Sequence, residues 1–163
     1  MKLRTGRMAA QLLIAASALL SLPALAHGDV TPQAVDTTTL KSLGEGWREE
    51  NPYRDDKEAI RVGSSAYGQN CARCHGLEAV SGGIAPDLRK LDRDCVIQKD
   101  EGKKQACYKE NDTYYLASVR HGKTRNGAVY MPPFEGIINQ EGMWSIKAYL
   151  ETLRVMPTVA AAK

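Results

Sequence analysis

Large aromatic side chains are scarce in this chain of 163 residues, which has one Phe, two Trp and seven Tyr. So few rings make a lean apolar core, and some other apolar body has to fill it. Other absences narrow the class. No internal repeat or low-complexity tract occurs, which excludes solenoids and repeat arrays. No strand-like alternation of apolar and polar residues argues for a sheet. Past residue 26 no apolar run reaches the roughly 20 residues that span a bilayer. Nor is there a usable excess of charge. Without its first 26 residues the chain keeps nineteen basic and nineteen acidic side chains. Residues 27–60 then carry a net charge of −4 and residues 61–163 a net of +4. That is a modest dipole and does not suit a nucleic-acid binder.

The first 26 residues read as a cleaved secretory signal peptide. Lys2, Arg4 and Arg7 form a basic start and residues 8–20 an apolar middle; Ala24-Leu25-Ala26 is the cleavage site. The expected product is an exported protein, periplasmic in a bacterium, with no membrane anchor after cleavage. Its parts are an extension over 27–55, a single domain over 56–156 and a frayed tail over 157–163. Loop-forming residues fill the extension, where Trp47 is expected to pack it onto the domain.

The most informative stretch is Cys71-Ala72-Arg73-Cys74-His75. A bare CxxC is ambiguous between zinc, a redox disulfide and haem. The adjacent His, in an exported protein, selects c-type haem attachment. Cys71 and Cys74 would each add across one vinyl group, and His75 would become the proximal iron ligand. The porphyrin would also supply the apolar body that the core lacks. One such motif implies one haem.

Around it the pattern predicts an all-α domain of three to four helices and long loops. A first helix is expected over 56–72, with Asp55 and Asp56 at its start and Ile60, Gly63, Tyr67 and Cys71 on one face. A short segment follows near Leu88. A second helix is expected from Asn111 or Asp112 to Gly122, and a last one over 141–153. Met131, beside Pro132 and Pro133, is the favoured sixth iron ligand, since a thioether held in a stiff loop suits an electron carrier. Met143 reads as core. His121 is the rival ligand, although its place at a helix C-terminus accounts for it otherwise. The Pro86 carbonyl is the candidate acceptor for the second ring N–H of His75. Cys95 and Cys107 remain and are expected to pair as a disulfide across a polar, flexible loop. No acidic cluster compels a calcium site.

These residues resemble the class I cytochromes c. The likeness lies in Gly63-x-x-x-Tyr67, the haem pentapeptide, Ala85-Pro86-Asp87-Leu88, Met131-Pro132 and Ile146-x-x-Tyr149-Leu150. The resemblance implies His75 and Met131 as iron ligands, and a crossing of the first and last helices at Gly63 against Ile146 and Tyr149. Asn51-Pro52-Tyr53-Arg54 and the stretches 67–76, 81–91 and 130–136 also look like the soluble cytochromes c that accept electrons from PQQ-dependent alcohol dehydrogenases. The ethanol dehydrogenase partner of pseudomonads is the closer likeness and cytochrome cL the more distant one. The implied role is one-electron carriage from such a dehydrogenase to a downstream cytochrome or terminal oxidase, without enzymatic activity. Two alternatives stand beside it: a carrier for another periplasmic dehydrogenase, and a haem peroxidase or gas-binding protein with open iron. Arg73, Arg89 and Arg125 are expected to ring the haem edge at the transfer surface.

Overall fold

The computed structural model describes residues 31–80, 83 and 85–157. The expected signal peptide lies outside them. Five helices are described: α1 Lys57–Asn70, α2 Ala72–His75, α3 Arg93–Val96, α4 Glu101–His121 and α5 Gln140–Thr152. A 3-10 turn spans Leu88–Lys90, and strands β1 Lys123–Arg125 and β2 Ala128–Met131 form an antiparallel hairpin.

The frame is the crossing of α1 and α5. Asp56 caps α1 by accepting from the Ala59 N–H at 2.9 Å. Ala59, Gly63 and Ala66 keep its buried face shallow. A Cβ at Gly63 would overlap the Ser145 carbonyl, so the helices touch through backbone. The closest approach is therefore at Ser145 and the Ile146 N–H. Tyr149 packs one turn further on against Tyr67, ring centroids 5.5 Å apart. Asn139 caps α5 by accepting from the Gly142 N–H at 2.9 Å.

Residues 31–56 lie along this frame. The Leu43 N–H donates to Glu141 at 2.8 Å, Gln140 donates to the Gly44 carbonyl at 2.6 Å, and Gln33 N–H donates to Asn70 at 2.7 Å. Leu43 and Tyr53 are buried, each worth about 1.5–3 kcal/mol if fully removed from water. Trp47 sits under the Arg120 guanidinium, 4.0 Å from its ring centroid.

Two expectations need correction. The second helix begins at Glu101 instead of Asn111 or Asp112, so the stretch taken for a flexible loop is helical. Asp100 accepts from the Lys103 N–H at 2.8 Å and supplies its cap, and the Cys95–Cys107 disulfide ties this first half to α3. The hairpin was not expected at all. Its turn, Asn126-Gly127, has φ of +50° and +79°, the left-handed pair that suits a two-residue connection.

Candidate haem-binding site

The site is an apolar cleft of about 250 Å³. Leu88, Leu91, Phe134, Ile138, Ile146 and Leu150 line it, and Cys71, Cys74 and His75 open on it from the end of α1 and from α2. The pentapeptide works because the chain stays helical through it. The Cys71 N–H bonds to the Tyr67 carbonyl at 2.8 Å, and the His75 N–H to the Cys71 carbonyl at 3.0 Å. Gly76 then leaves the helix at φ +79°, a conformation cheap only for glycine. The Tyr67 hydroxyl donates to the Gly76 carbonyl at 2.6 Å and fixes that exit.

His75 Nδ1 lies 3.0 Å from the Pro86 carbonyl oxygen. A carbonyl can only accept, so Nδ1 carries the proton and Nε2 is the nitrogen left for a metal. Burial lowers the His75 pKa, only partly offset by this hydrogen bond, and so favours the neutral imidazole that metals bind. The segment that carries Pro86 is held from both sides. The Leu88 N–H bonds to the Ala79 carbonyl at 3.1 Å, and Asp87 caps the 3-10 turn through the Arg89 N–H at 3.1 Å. Arg89 also closes on Asp87 at 2.9 Å and holds its carboxyl down at about 2. Arg89, expected from the sequence at the haem edge, is thus paired with Asp87.

Cys71 and Cys74 form no disulfide. Burial, helped by Cys74, pushes the Cys71 thiol up to about 12. Among the described residues no group of three or more His, Cys, Asp or Glu side chains is placed to hold a metal ion. Two thiols, one oriented imidazole and an apolar cavity fit a covalently attached porphyrin and do not fit a closed zinc site.

Met131, half-buried, opens on the same cleft from the end of β2. Gly122 sets its position. This residue ends α4 at φ +68°, and a Cβ there would overlap the Met131 carbonyl and crowd Pro132 and Pro133. The Phe134 N–H returns to the Val119 carbonyl at 3.0 Å, pinning the far end of the loop to α4. His121 is elsewhere: it is exposed, with Nδ1 3.4 Å from Glu135. Met143 is fully buried in the core. Trp47 does not line the cleft.

Sequence reasoning missed a buried ionic cluster beside this site. The Lys147 side chain is completely buried, with Nζ 2.9 Å from Asp92, 2.8 Å from Glu151 and 3.2 Å from Asp112. Arg54 contacts Asp112 and Glu151 at 2.6 Å each, and Arg154 reaches Asp92 at 3.1 Å. Three cations thus meet three carboxylates from four separate stretches of chain. Burial pulls the Lys147 pKa down, but the joint attraction of Asp92, Glu151 and Asp112 outweighs it, so the ammonium stays charged. The one local hint was a Lys amid the apolar residues of the last helix.

The described residues include no helix long and apolar enough to cross a membrane. Comparison with known proteins gives a coherent picture. Residues 58–150 match the family model described as cytochrome c oxidase, cbb3-type, subunit III. Cytochrome c550 of Pseudomonas aeruginosa is 51% identical over 148 residues, covering 88% of this chain and 92% of that protein. Shorter likenesses join it. The quinohemoprotein alcohol dehydrogenase ADH-IIG of Pseudomonas putida is 51% identical over 37 residues, 23% of this chain and 5% of the enzyme. The cbb3-type cytochrome c oxidase subunit FixP of Sinorhizobium medicae is 34% identical over 103 residues, 61% of this chain and 32% of that subunit. No solved structure matches. A mostly helical chain with this cleft, this motif and these relatives belongs to the cytochrome c family, as an electron-transfer protein with covalently bound haem c.

Proposed function

We propose that this protein is a periplasmic monohaem carrier that takes electrons from a PQQ-dependent alcohol dehydrogenase and passes them to a downstream cytochrome or terminal oxidase. Cys71 and Cys74 would hold the haem by thioether links, and His75 and Met131 would ligate its iron. The bound group supplies a one-electron ferric–ferrous couple. The observation that carries the reading is the shared cleft: His75, oriented by the Pro86 carbonyl, and Met131, fixed by Gly122, open on one apolar cavity. Low polarity and a thioether ligand favour the ferrous state and a raised potential.

Two relatives support the partners. An alcohol dehydrogenase carries a stretch like the haem-binding region of this chain, and a cbb3-type oxidase subunit is 34% identical to it over 103 residues. The export-type start of the sequence and the Cys95–Cys107 disulfide suit a periplasmic setting.

The test has two readouts. The oxidised protein is expected to show the weak near-infrared sulfur-to-iron band, lost in Met131→Ala; its absence from the wild type, with ready cyanide or CO binding, would favour an open-iron protein. Mixing the ferric protein with an ethanol-reduced quinoprotein dehydrogenase is expected to reduce the haem. Reduction by an aldehyde or sugar dehydrogenase alone would reassign the donor.

A further inference from the structure

We propose that the Cys95–Cys107 disulfide is a thiol-exchange site. A dithiol protein of the CxxC class opens it by attacking the Cys107 sulfur, while Asn111 holds the departing Cys95 sulfur. This goes beyond the electron carriage proposed above and depends on neither its donor nor its acceptor.

Three observations meet at the bridge. Access is one-sided: Cys95 is fully buried, whereas Cys107 is half-buried on α4. A polar donor faces the sulfurs. Asn111 Nδ2 lies 3.0 Å from Cys95 Sγ and 3.8 Å from Cys107 Sγ, so the amide sits closer to the sulfur that solvent does not reach. Finally, the helix is held shallowly where it carries Cys107. The buried residues of α4 begin at Asp112, so none of residues 101–111 is buried.

Thiol–disulfide exchange needs an accessible sulfur to attack and a leaving sulfur that can bear charge. Cys107 supplies the first. Burial by itself makes Cys95 a poor thiolate, and the Asn111 N–H offsets this by hydrogen-bonding the charged form. The incoming thiolate bonds to Cys107 Sγ, the Cys95–Cys107 bond breaks, and its electron pair stays on Cys95. The second thiol of the reductant then attacks its own sulfur in the mixed disulfide and releases Cys107. The protons of the dithiol pass by way of water to the two cysteines. The bridge gains two electrons and the CxxC pair is oxidised to a disulfide; the haem takes no part.

Opening the bridge reaches past the two sulfurs. Tyr108, beside Cys107, rests its ring on the Arg54 guanidinium at 4.3 Å. Asp112, beside Asn111, pairs with Arg54 and Lys147 in the buried ionic cluster. Asp92 accepts from the Cys95 N–H through its carbonyl and follows Leu91, which lines the haem cleft. With the bridge open, residues 101–111 lose their covalent tie to α3, and the cover over Arg54 loosens. The thiol state of the compartment thereby acts on the cluster beside the haem cleft.

The experiment follows exchange in the ascorbate-reduced holoprotein, so that no ferric iron consumes the thiols. Reduction of the bridge by thioredoxin in native buffer is expected to be first order in thioredoxin and to leave the visible haem spectrum intact. A thioredoxin variant lacking its resolving cysteine is expected to be trapped on Cys107, read by peptide mass mapping. Asn111→Leu, which removes the donor, is expected to slow the reduction about fivefold at an unchanged denaturant midpoint. Asn111→Asp, which puts a negative charge at the sulfurs, should slow it further. Should one variant shift that midpoint, the position of the trap and the other variant decide. Trypsin is expected to cut after Lys103 or Lys104 only once the bridge is open. A rate independent of thioredoxin, or seen only in denaturant, would show a purely structural staple and overturn the proposal. A trap on Cys95, or equal rates in wild type and both Asn111 variants, would do the same. Lysines that stay resistant after reduction would overturn the release of the helix.

Discussion

The two sides of α5 solve the problem of burial in opposite ways. Ile146 and Leu150 face an apolar cleft and need no directional partner. Lys147 and Glu151, each the next residue along, enter a web of ion pairs shared with Asp92, Asp112, Arg54 and Arg154. The apolar side gains by excluding water and tolerates changes that conserve volume. The ionic side gains little net energy but punishes the loss of any member, because a charge is then left buried alone. The difference teaches where this fold is soft and where it is brittle.

The largest expected effect is on the brittle side. Lys147→Met leaves three carboxylates against two arginines and is expected to cost about 3–5 kcal/mol in denaturant unfolding. Adding Glu151→Leu leaves Asp92 with Arg154 and Asp112 with Arg54, and should recover most of that loss. No recovery would mean that the pairs act singly and the comparison fails. Next comes the Cys95–Cys107 bridge, which ties α3 to α4 beside Asp92 and Asp112. Its removal by paired Ser substitutions is expected to cost about 3 kcal/mol. On the soft side, Ile146→Val should cost only about 1 kcal/mol, with the haem spectrum unchanged.

The smallest effect concerns pH. The folded Asp87 carboxyl sits near 2, held there first by the Arg89 hydrogen bond. A lowered carboxylate pKa gives stability that is complete above the unfolded value, about 3.9, and is lost as pH falls toward 2. Asp87→Asn should therefore flatten the acid dependence of unfolding between about pH 4 and 2 while leaving stability at pH 7 slightly reduced. An unchanged acid profile would show that Asp87 does not anchor the Pro86 segment.

How much of this could be read from the chain depends on whether the signal was local. Cys71, Cys74 and His75 sit within one helical turn, so their chemistry is written in adjacent letters. Pro86 and Met131 are single residues marked by neighbouring Gly or Pro. The whole of α5 was visible through Trp144, Ile146 and Leu150. The first half of α4 was not, because Gly102, Lys103, Lys104 and Gln105 give no apolar stripe. The Asp100 cap and the run of good helix formers were the signal there. Asn126-Gly127 was likewise a hairpin signal, passed over because the flanking residues do not alternate in polarity. The ionic cluster was out of reach. Arg54, Asp92, Asp112 and Lys147 lie far apart in sequence, and apart from Lys147, which stands amid apolar residues, none of them signals burial. Only the fold makes them neighbours.

The cluster also joins the segment ahead of α1, through Asn51 and Arg54, to the end of the last helix, through Glu151 and Arg154. Whichever stretch peels away first strands a charge on those that stay, so fraying from either end is opposed. The arm, α4 and α5 should then exchange their amide hydrogens as one block, and the chain opens all together or not at all.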